Sequence, residues 1–381
     1  MSDEQQQYGE SQTPMSGIAK MFLGKVFPRR LFSDRILVFI LLTLAFLLPI
    51  FFIPGQLITP EFGKMILLEV LVLAATFLWA AGRLRDGHVD APKSLLLLIA
   101  TLLTLQFVVA AFMSPAPVIS FIGSGYDIGT VNSFVLLFLL MFLGSVTFTN
   151  RDRVLMLYAS FVCSGGLIML YHILRQFFGE GFLDFGIFTS AVSTPVGRWN
   201  DLAALIGGIL ILVLSTLYFF PQNKRFRISA LVIFFVGLFF LLSINFTSLW
   251  LILLAMTALL VALSVYEGEK MYKKKLQETV ESGADHQRTP FHKRFMGHLP
   301  AIATIFFLVT LIYGAGLSNV SWGKDNTTLA SVVGKALRAA PYSEVVLTPR
   351  FTYDIVRSTL KESPLFGTGP NRFSSSYLKY K

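Results

Sequence analysis

The chain has 381 residues, of which 54% are apolar and only 14% charged, with a formal net charge of +10 and a mean hydropathy of +0.66. A soluble domain is roughly a quarter charged, and a disordered chain combines low hydrophobicity with high charge, so both classes are excluded. The single cysteine, Cys163, rules out an intramolecular disulfide and a cysteine-based zinc site.

A helix needs about 20 mostly apolar residues to cross the hydrocarbon core. Such runs fall at 36–53, 65–81, 94–113, 131–148, 154–175, 201–220, 228–243, 247–265 and 299–316. The expected fold is all-α: a polytopic transmembrane helical bundle of about nine spans with a small helical outer-face segment at the C-terminus. It divides into a cytoplasmic N-terminal segment 1–35, a transmembrane domain 36–316 containing a cytoplasmic loop 266–298, and an extracytoplasmic segment 317–381.

Met1–Pro14 is polar and lacks the short apolar core of a signal peptide. Lys20, Lys25, Arg29, Arg30 and Arg35 precede the first span and hold it as an uncleaved anchor. Lys and Arg accumulate in cytoplasmic loops, so the N-terminus is expected inside. The inside segments then carry twenty Lys and Arg, and the outside loops carry three: Lys64, Arg175 and Arg198. The basicity is therefore a topology signal. It points to membrane lipids as partners and excludes nucleic acid.

Loop 114–130 holds Gly123, Gly125 and Gly129. It reads as a turn between two spans, because a phosphate cradle needs a preceding strand and a following Lys-Ser/Thr. His172 and Arg175, three residues apart at the outer end of the fifth span, share a helical face. Ionisable residues at that depth mark a functional site or a snorkelling anchor. The other histidines (His88, His286, His292 and His298) lie on the cytoplasmic side, so a histidine base at the outer face would have to be His172. Loop 176–200 ends in Gly197-Arg198-Trp199-Asn200-Asp201, where Arg198 clamps a phosphate or, with Trp199, belongs to an interfacial belt. Asn200 or Asp201 suits the N-cap of the next span. Within loop 266–298, Lys273–Lys275 among glutamates read as a solvated helix.

In the tail, Leu329–Ala340 has the pattern of a short interfacial helix. A second helix is expected to start with Thr348 as N-cap and Pro349 at its first position. Arg350, Asp354, Arg357 and Lys361 recur at spacings that put them on one face, with Phe351, Ile355, Val356 and Leu360 packing on the other. Arginine offers a bidentate fork to phosphate oxygens, so this stripe suits a lipid-linked diphosphate, with Asp354 orienting an arginine. It equally suits a solvated amphipathic helix. Pro364-Leu-Phe-Gly367-Thr-Gly369-Pro370 then forms a rigid turn able to present N–H groups to an anion.

At this segment the sequence resembles the O-antigen ligase/O-antigen polymerase family of bacterial membrane glycosyltransferases. The matching features are Arg350 opening an amphipathic helix, Pro364-Leu365-Phe366-Gly367-Thr368-Gly369, and Phe373. Weaker likeness lies in Ser120-Phe121-Ile122-Gly123 and Gly197-Arg198-Trp199-Asn200-Asp201. The resemblance implies transfer of a glycan from an undecaprenyl-diphosphate carrier to a glycan, lipid or protein acceptor at the outer face of the cytoplasmic (inner) membrane. It implies no metal and no cofactor. Outer-face arginines hold the diphosphate, a role that carries onto Arg350 and Arg198; Arg357 and Arg175 join them by spacing and side of the membrane. The family's histidine follows the Gly-x-Gly turn, whereas no histidine follows His298 here, and the chain reads as truncated inside its outer domain. His172 is then the candidate base in this chain, with Gly367 and Gly369 supporting. The alternatives are a flippase for a lipid-linked glycan and a non-catalytic subunit of a polysaccharide assembly system.

Overall fold

The computed structural model describes residues 32–55, 59–87, 92, 94–123, 127–179, 181–190, 192–219, 224–282, 298–317, 320–322, 327–329, 332 and 349–380. Each of the nine apolar segments is helical: α1 Phe32–Ile50, α2 Pro60–Asp86, α3 Leu95–Phe112, then a five-residue α4 Pro117–Phe121, α5 Val131–Thr147, α6 Arg151–Phe178, α7 Trp199–Phe219, α8 Lys224–Ile244, α9 Thr247–Ser282 and α10 His298–Gly314. A two-residue antiparallel ladder follows, β1 Ser321–Trp322 against β2 Thr327–Thr328. Two amphipathic helices close the chain, α11 Pro349–Glu362 and α12 Phe373–Tyr380.

Among the described residues five helices are long and apolar enough to cross a bilayer: Pro60–Arg85, Leu95–Phe112, Arg151–Phe178, Trp199–Leu217 and Lys224–Ile244. They mark a multi-pass membrane protein. Val131–Thr147, Thr247–Leu263 and Ile302–Gly314 are shorter apolar helices. The expected basic N-terminal anchor, most of the helix at 329–340 and the Thr348 cap lie outside the described residues.

Two details differ from the sequence expectation. The helix expected at the start of loop 266–298 is continuous with the eighth apolar segment, so that α9 runs unbroken for 36 residues. The loop between α3 and α5 is more than a turn, because Pro117, whose missing N–H costs nothing in a first helical turn, opens α4.

The chain forms two compact units, the first comprising Met1–Ala45, Met65–Ser160 and Asp354–Lys381, the second Phe46–Lys64 and Phe161–Tyr353. In the first, Leu37 and Leu41 of α1 pack with Ala75 of α2 and Leu143 of α5. Trp79 meets Phe142 edge-on at 5.0 Å, and Ser160 Oγ donates to the Leu42 carbonyl at 2.9 Å. By contrast α3 leaves Leu95, Leu98, Leu102 and Leu105 exposed. Lipid tails are as apolar as leucine, so such a surface is at equilibrium in a bilayer.

The second unit is built around α7, whose Leu202, Ala203, Ile206, Ile209 and Leu210 are fully buried. Gly165 of α6 faces α7 so closely that a Cβ there would meet Ile209 Cδ1 at 1.9 Å. Such small-residue contacts let membrane helices approach without a hydrophobic driving force. Helix α9 pairs with α10 through Trp250 on Tyr313, centroids 4.8 Å apart, and through Thr257 and Thr310, whose hydroxyls are 3.3 Å apart. Only Asn245 and Phe246 separate α8 from α9, with Asn245 in the left-handed region at φ 48°.

Candidate functional site

In the first unit, the Pro-Leu-Phe-Gly-Thr-Gly turn seats on the loop between α3 and α5. Ser114 Oγ donates to the Thr368 carbonyl at 2.9 Å, and the fully buried Ser120 donates to Ser114 Oγ at 3.0 Å. Asn371 Nδ2 donates to Asp127 Oδ2 at 2.9 Å. The Asp127 carbonyl in turn accepts from Thr130 and Ser133, each at 3.1 Å, while Thr130 caps α5 by accepting from Ser133 N–H. Gly369 lies at φ 91°, and a Cβ on it would sit 2.7 Å from Ser114 Cβ and 3.1 Å from Ser120 Oγ. The Ser120–Gly123 stretch and the Pro364–Gly369 turn are thus neighbours. The Ser114 and Ser120 hydroxyls are used within the protein and are not presented to an anion.

Helix α11 directs Ile355 and Thr359 inward. Asp354, Arg357 and Lys361 are exposed, as the periodicity predicts, and so is Arg350 at the start of the helix. Val356 and Leu360, expected to pack, are instead part-exposed beside a recess of about 210 Å³ that Ile355, Thr359, Phe366 and Phe373 also line. Among the described residues Asp354 makes no ion pair with Arg350 or Arg357, so it does not orient an arginine here. Glu362 is clasped to Lys379 of α12. The hydrogen bonds from Lys379 and then Tyr380 hold the Glu362 carboxyl below its ordinary range.

In the second unit, His172 and Arg175 both lie buried at the C-terminal end of α6, 6% and 5% exposed. Arg175 donates from Nη2 to the Phe188 carbonyl at 2.6 Å and from Nη1 to the Ser193 carbonyl at 3.1 Å. Its guanidinium therefore fastens the α6–α7 loop and is not offered to a diphosphate, a correction to the phosphate-binding expectation. The His172 ring is edge-on to Tyr171 at 5.2 Å, Trp199 at 5.6 Å and Phe240 at 6.1 Å. Its Nε2 has no hydrogen-bond partner among the described residues.

Helix α7 starts at Trp199, so Arg198 rather than Asn200 or Asp201 holds the cap position. Asp201 reaches back to accept from the Arg198 N–H at 3.1 Å, the reciprocal half of a capping box. The Arg198 side chain is exposed. Beneath it Lys64 donates to the Pro49 carbonyl at 3.1 Å and the Val196 carbonyl at 2.7 Å. Glu61 Oε1 and Asp201 Oδ2 lie 3.1 and 3.2 Å from where a Cβ on Gly197 would be.

His172, Arg175 and Trp199 thus converge in one unit, with Arg198 next in the chain. Arg357, Asp354, Gly367 and Gly369 belong to the other. Sequence reasoning passed over Lys64, Glu61, Ser114 and Asn371 as site-forming residues. The available signal was Lys64 itself, one of three basic residues assigned to the outside loops. Among the described residues no three His, Cys, Asp or Glu side chains converge on a point suited to a metal ion. No protein-family model, curated protein or solved structure matches the chain.

Proposed function

We propose that this multi-pass membrane protein is a glycosyltransferase of the O-antigen ligase/polymerase type. It passes a glycan from undecaprenyl diphosphate to a glycan, lipid or protein hydroxyl at the outer face of the cytoplasmic membrane. In this reading the chain crosses nine times with its N-terminus inside, and α11 and α12 lie outside. The observation that carries it is a set of uncommitted guanidinium groups. Arg198, Arg350 and Arg357 are all exposed, and among the described residues none is held by a carboxylate.

In the reaction the acceptor oxygen bonds to the anomeric carbon and the bond from that carbon to the diphosphate breaks. The electron pair leaves with undecaprenyl diphosphate, where an exposed arginine such as Arg350 stabilises the charge that develops. The acceptor proton passes to a general base. His172 takes that part, although its ring is enclosed by Tyr171, Trp199 and Phe240 and its Nε2 is buried. That enclosure favours a second reading, a non-catalytic membrane subunit of a polysaccharide assembly system.

The test uses the full chain in liposomes with an undecaprenyl-diphosphate glycan and follows transfer to acceptor. Charge-assisted hydrogen bonds contribute roughly 1.5–3 kcal/mol each, so Arg350→Ala should slow transfer by about 10- to 100-fold while the protein still inserts. Arg350→Lys should retain part of the rate. Wild-type rates in Arg350→Ala would end the arginine assignment, and unchanged rates in His172→Gln would remove the base.

A further inference from the structure

The last turn of α6 and the segment that follows it turn a row of apolar side chains outward. Phe177 is 82% exposed and Phe178 68%, with Leu183 and Phe185 about half exposed. Phe178 stacks on Phe182 at 5.0 Å. This display is enforced. Leu183 and Phe185 hold left-handed backbone, φ 51° and 49°, which costs free energy for any residue with a Cβ and persists only where the surroundings over-determine it.

Those surroundings are on hand. The Tyr171 hydroxyl donates to the Leu183 carbonyl at 3.2 Å. Asp184 Oδ1 accepts from Gly186 N–H at 3.2 Å, and the Asp184 carbonyl accepts from Phe188 N–H at 2.8 Å. The Arg175 guanidinium grips the Phe188 and Ser193 carbonyls. Phe52 touches Phe185 and Phe188, centroids 5.3 and 4.9 Å away.

The depth of the loop follows from helix length. The 28 residues of α6 extend about 42 Å, against a hydrocarbon core of about 30 Å. Counted from Val154, just past the charged Arg151-Asp152-Arg153, that core is used up near Ile173. Phe177 and Phe178 therefore emerge about 6–8 Å beyond it, in the headgroup layer; long side chains on a helix lean back toward its N-terminus, so their rings reach toward the level where phospholipid acyl chains meet headgroups.

We propose that the end of α6 and the segment that follows it carry a lipid-inserted finger. The rings of Phe177, Phe178 and Phe185 and the Leu183 side chain enter the acyl boundary of the leaflet at the C-terminal end of α6. The Arg175 strap holds them there and fixes the height of the Thr194–Arg198 segment that follows. The occupant is phospholipid because the patch continues the lipid-facing surface of a membrane span. The proposal goes beyond glycan transfer and stands without it.

Cys163 is the single native cysteine, so a Cys163→Ser chain accepts one bimane label at Phe177→Cys, Phe185→Cys or, as control, Asp152→Cys at the charged end of α6. The chains are reconstituted in 3:1 phosphatidylethanolamine and phosphatidylglycerol vesicles, with iodide on both sides. Labels at 177 and 185 should be quenched several-fold more by 5-doxyl lipid than by iodide, and the label at 152 the reverse. Iodide-dominated quenching at 177 and 185 would overturn the insertion. Unchanged lipid quenching in Arg175→Gln would overturn the strap. A photoreactive benzoylphenylalanine in place of Phe178 keeps an aromatic ring there and should give adducts of lipid mass. Adducts to protein alone would assign the patch to a protein partner and refute the proposal.

Discussion

Replacing Gly369 with alanine should loosen the turn between α11 and α12 from the α3–α5 loop. Its φ of 91° costs an L-residue about 1–2 kcal/mol. The new Cβ would also lie 2.7 Å from Ser114 Cβ and 2.8 Å from Ser114 Oγ, and overpacking of that kind costs about 1–3 kcal/mol. Moving Ser114 aside forfeits its bond to the Thr368 carbonyl, a further loss of about 1 kcal/mol. The expected total is about 3–6 kcal/mol. Gly367 is the control: it too has positive φ, 59°, but nothing lies within 4 Å of its Cβ position. Gly367→Ala should therefore cost only the backbone part, about 1–2 kcal/mol. Amide hydrogen exchange of residues 364–372 in nanodiscs reads the local opening free energy of each variant. Ser114→Gly in the Gly369→Ala background removes both nearest atoms and should recover part of the loss. Equal effects at 367 and 369, or no recovery in the double variant, would refute the packing argument.

Arg175→Lys keeps the charge but loses the planar fork, so one of the Phe188 and Ser193 carbonyls goes unserved. The loss should be about 1–3 kcal/mol, read as faster proteolytic nicking within residues 181–193; an unchanged rate would mean that those carbonyls find other donors. The Glu362 carboxyl is held below its ordinary 4.5 by hydrogen bonds from Lys379 and then Tyr380. A depressed folded-state pKa means the clasp is intact above the ordinary value and is lost as pH falls through the folded one. Exchange protection of residues 373–380 should accordingly hold from neutral pH down to the ordinary carboxylate range, fall below it, and weaken with salt because both groups are exposed. In Glu362→Gln that acid limb should vanish; its persistence would place the titrating group elsewhere.

Hydropathy made the helices legible: all nine apolar runs are helical, and Pro349 opens α11 where its fixed φ suits a first turn. The faces of α11 were legible for the charged stripe, which periodicity places in solvent, but not for Val356 and Leu360. Whether an apolar side chain packs depends on what lies opposite, and a recess lies there. The long-range partners were hidden for the same reason. Nothing near Ser114 announces Thr368, 254 residues away, and nothing near Lys64 announces Val196, 132 residues away. His172 and Arg175 stood out by depth and shared face. What depth alone did not reveal is that Arg175 is occupied by two carbonyls and His172 is walled by rings. An arginine near a helix end reads identically whether it awaits an anion or ties down a loop.

The uninterrupted course of α9 has a mechanical corollary. Its apolar stretch ends at Leu263 while the helix continues to Ser282, a boom of about 28 Å at 1.5 Å per residue. The polar layer of a leaflet is only some 5–8 Å deep, so this length is at least three times that depth. Sideways force on that end would act with leverage on the contact of Trp250 with Tyr313.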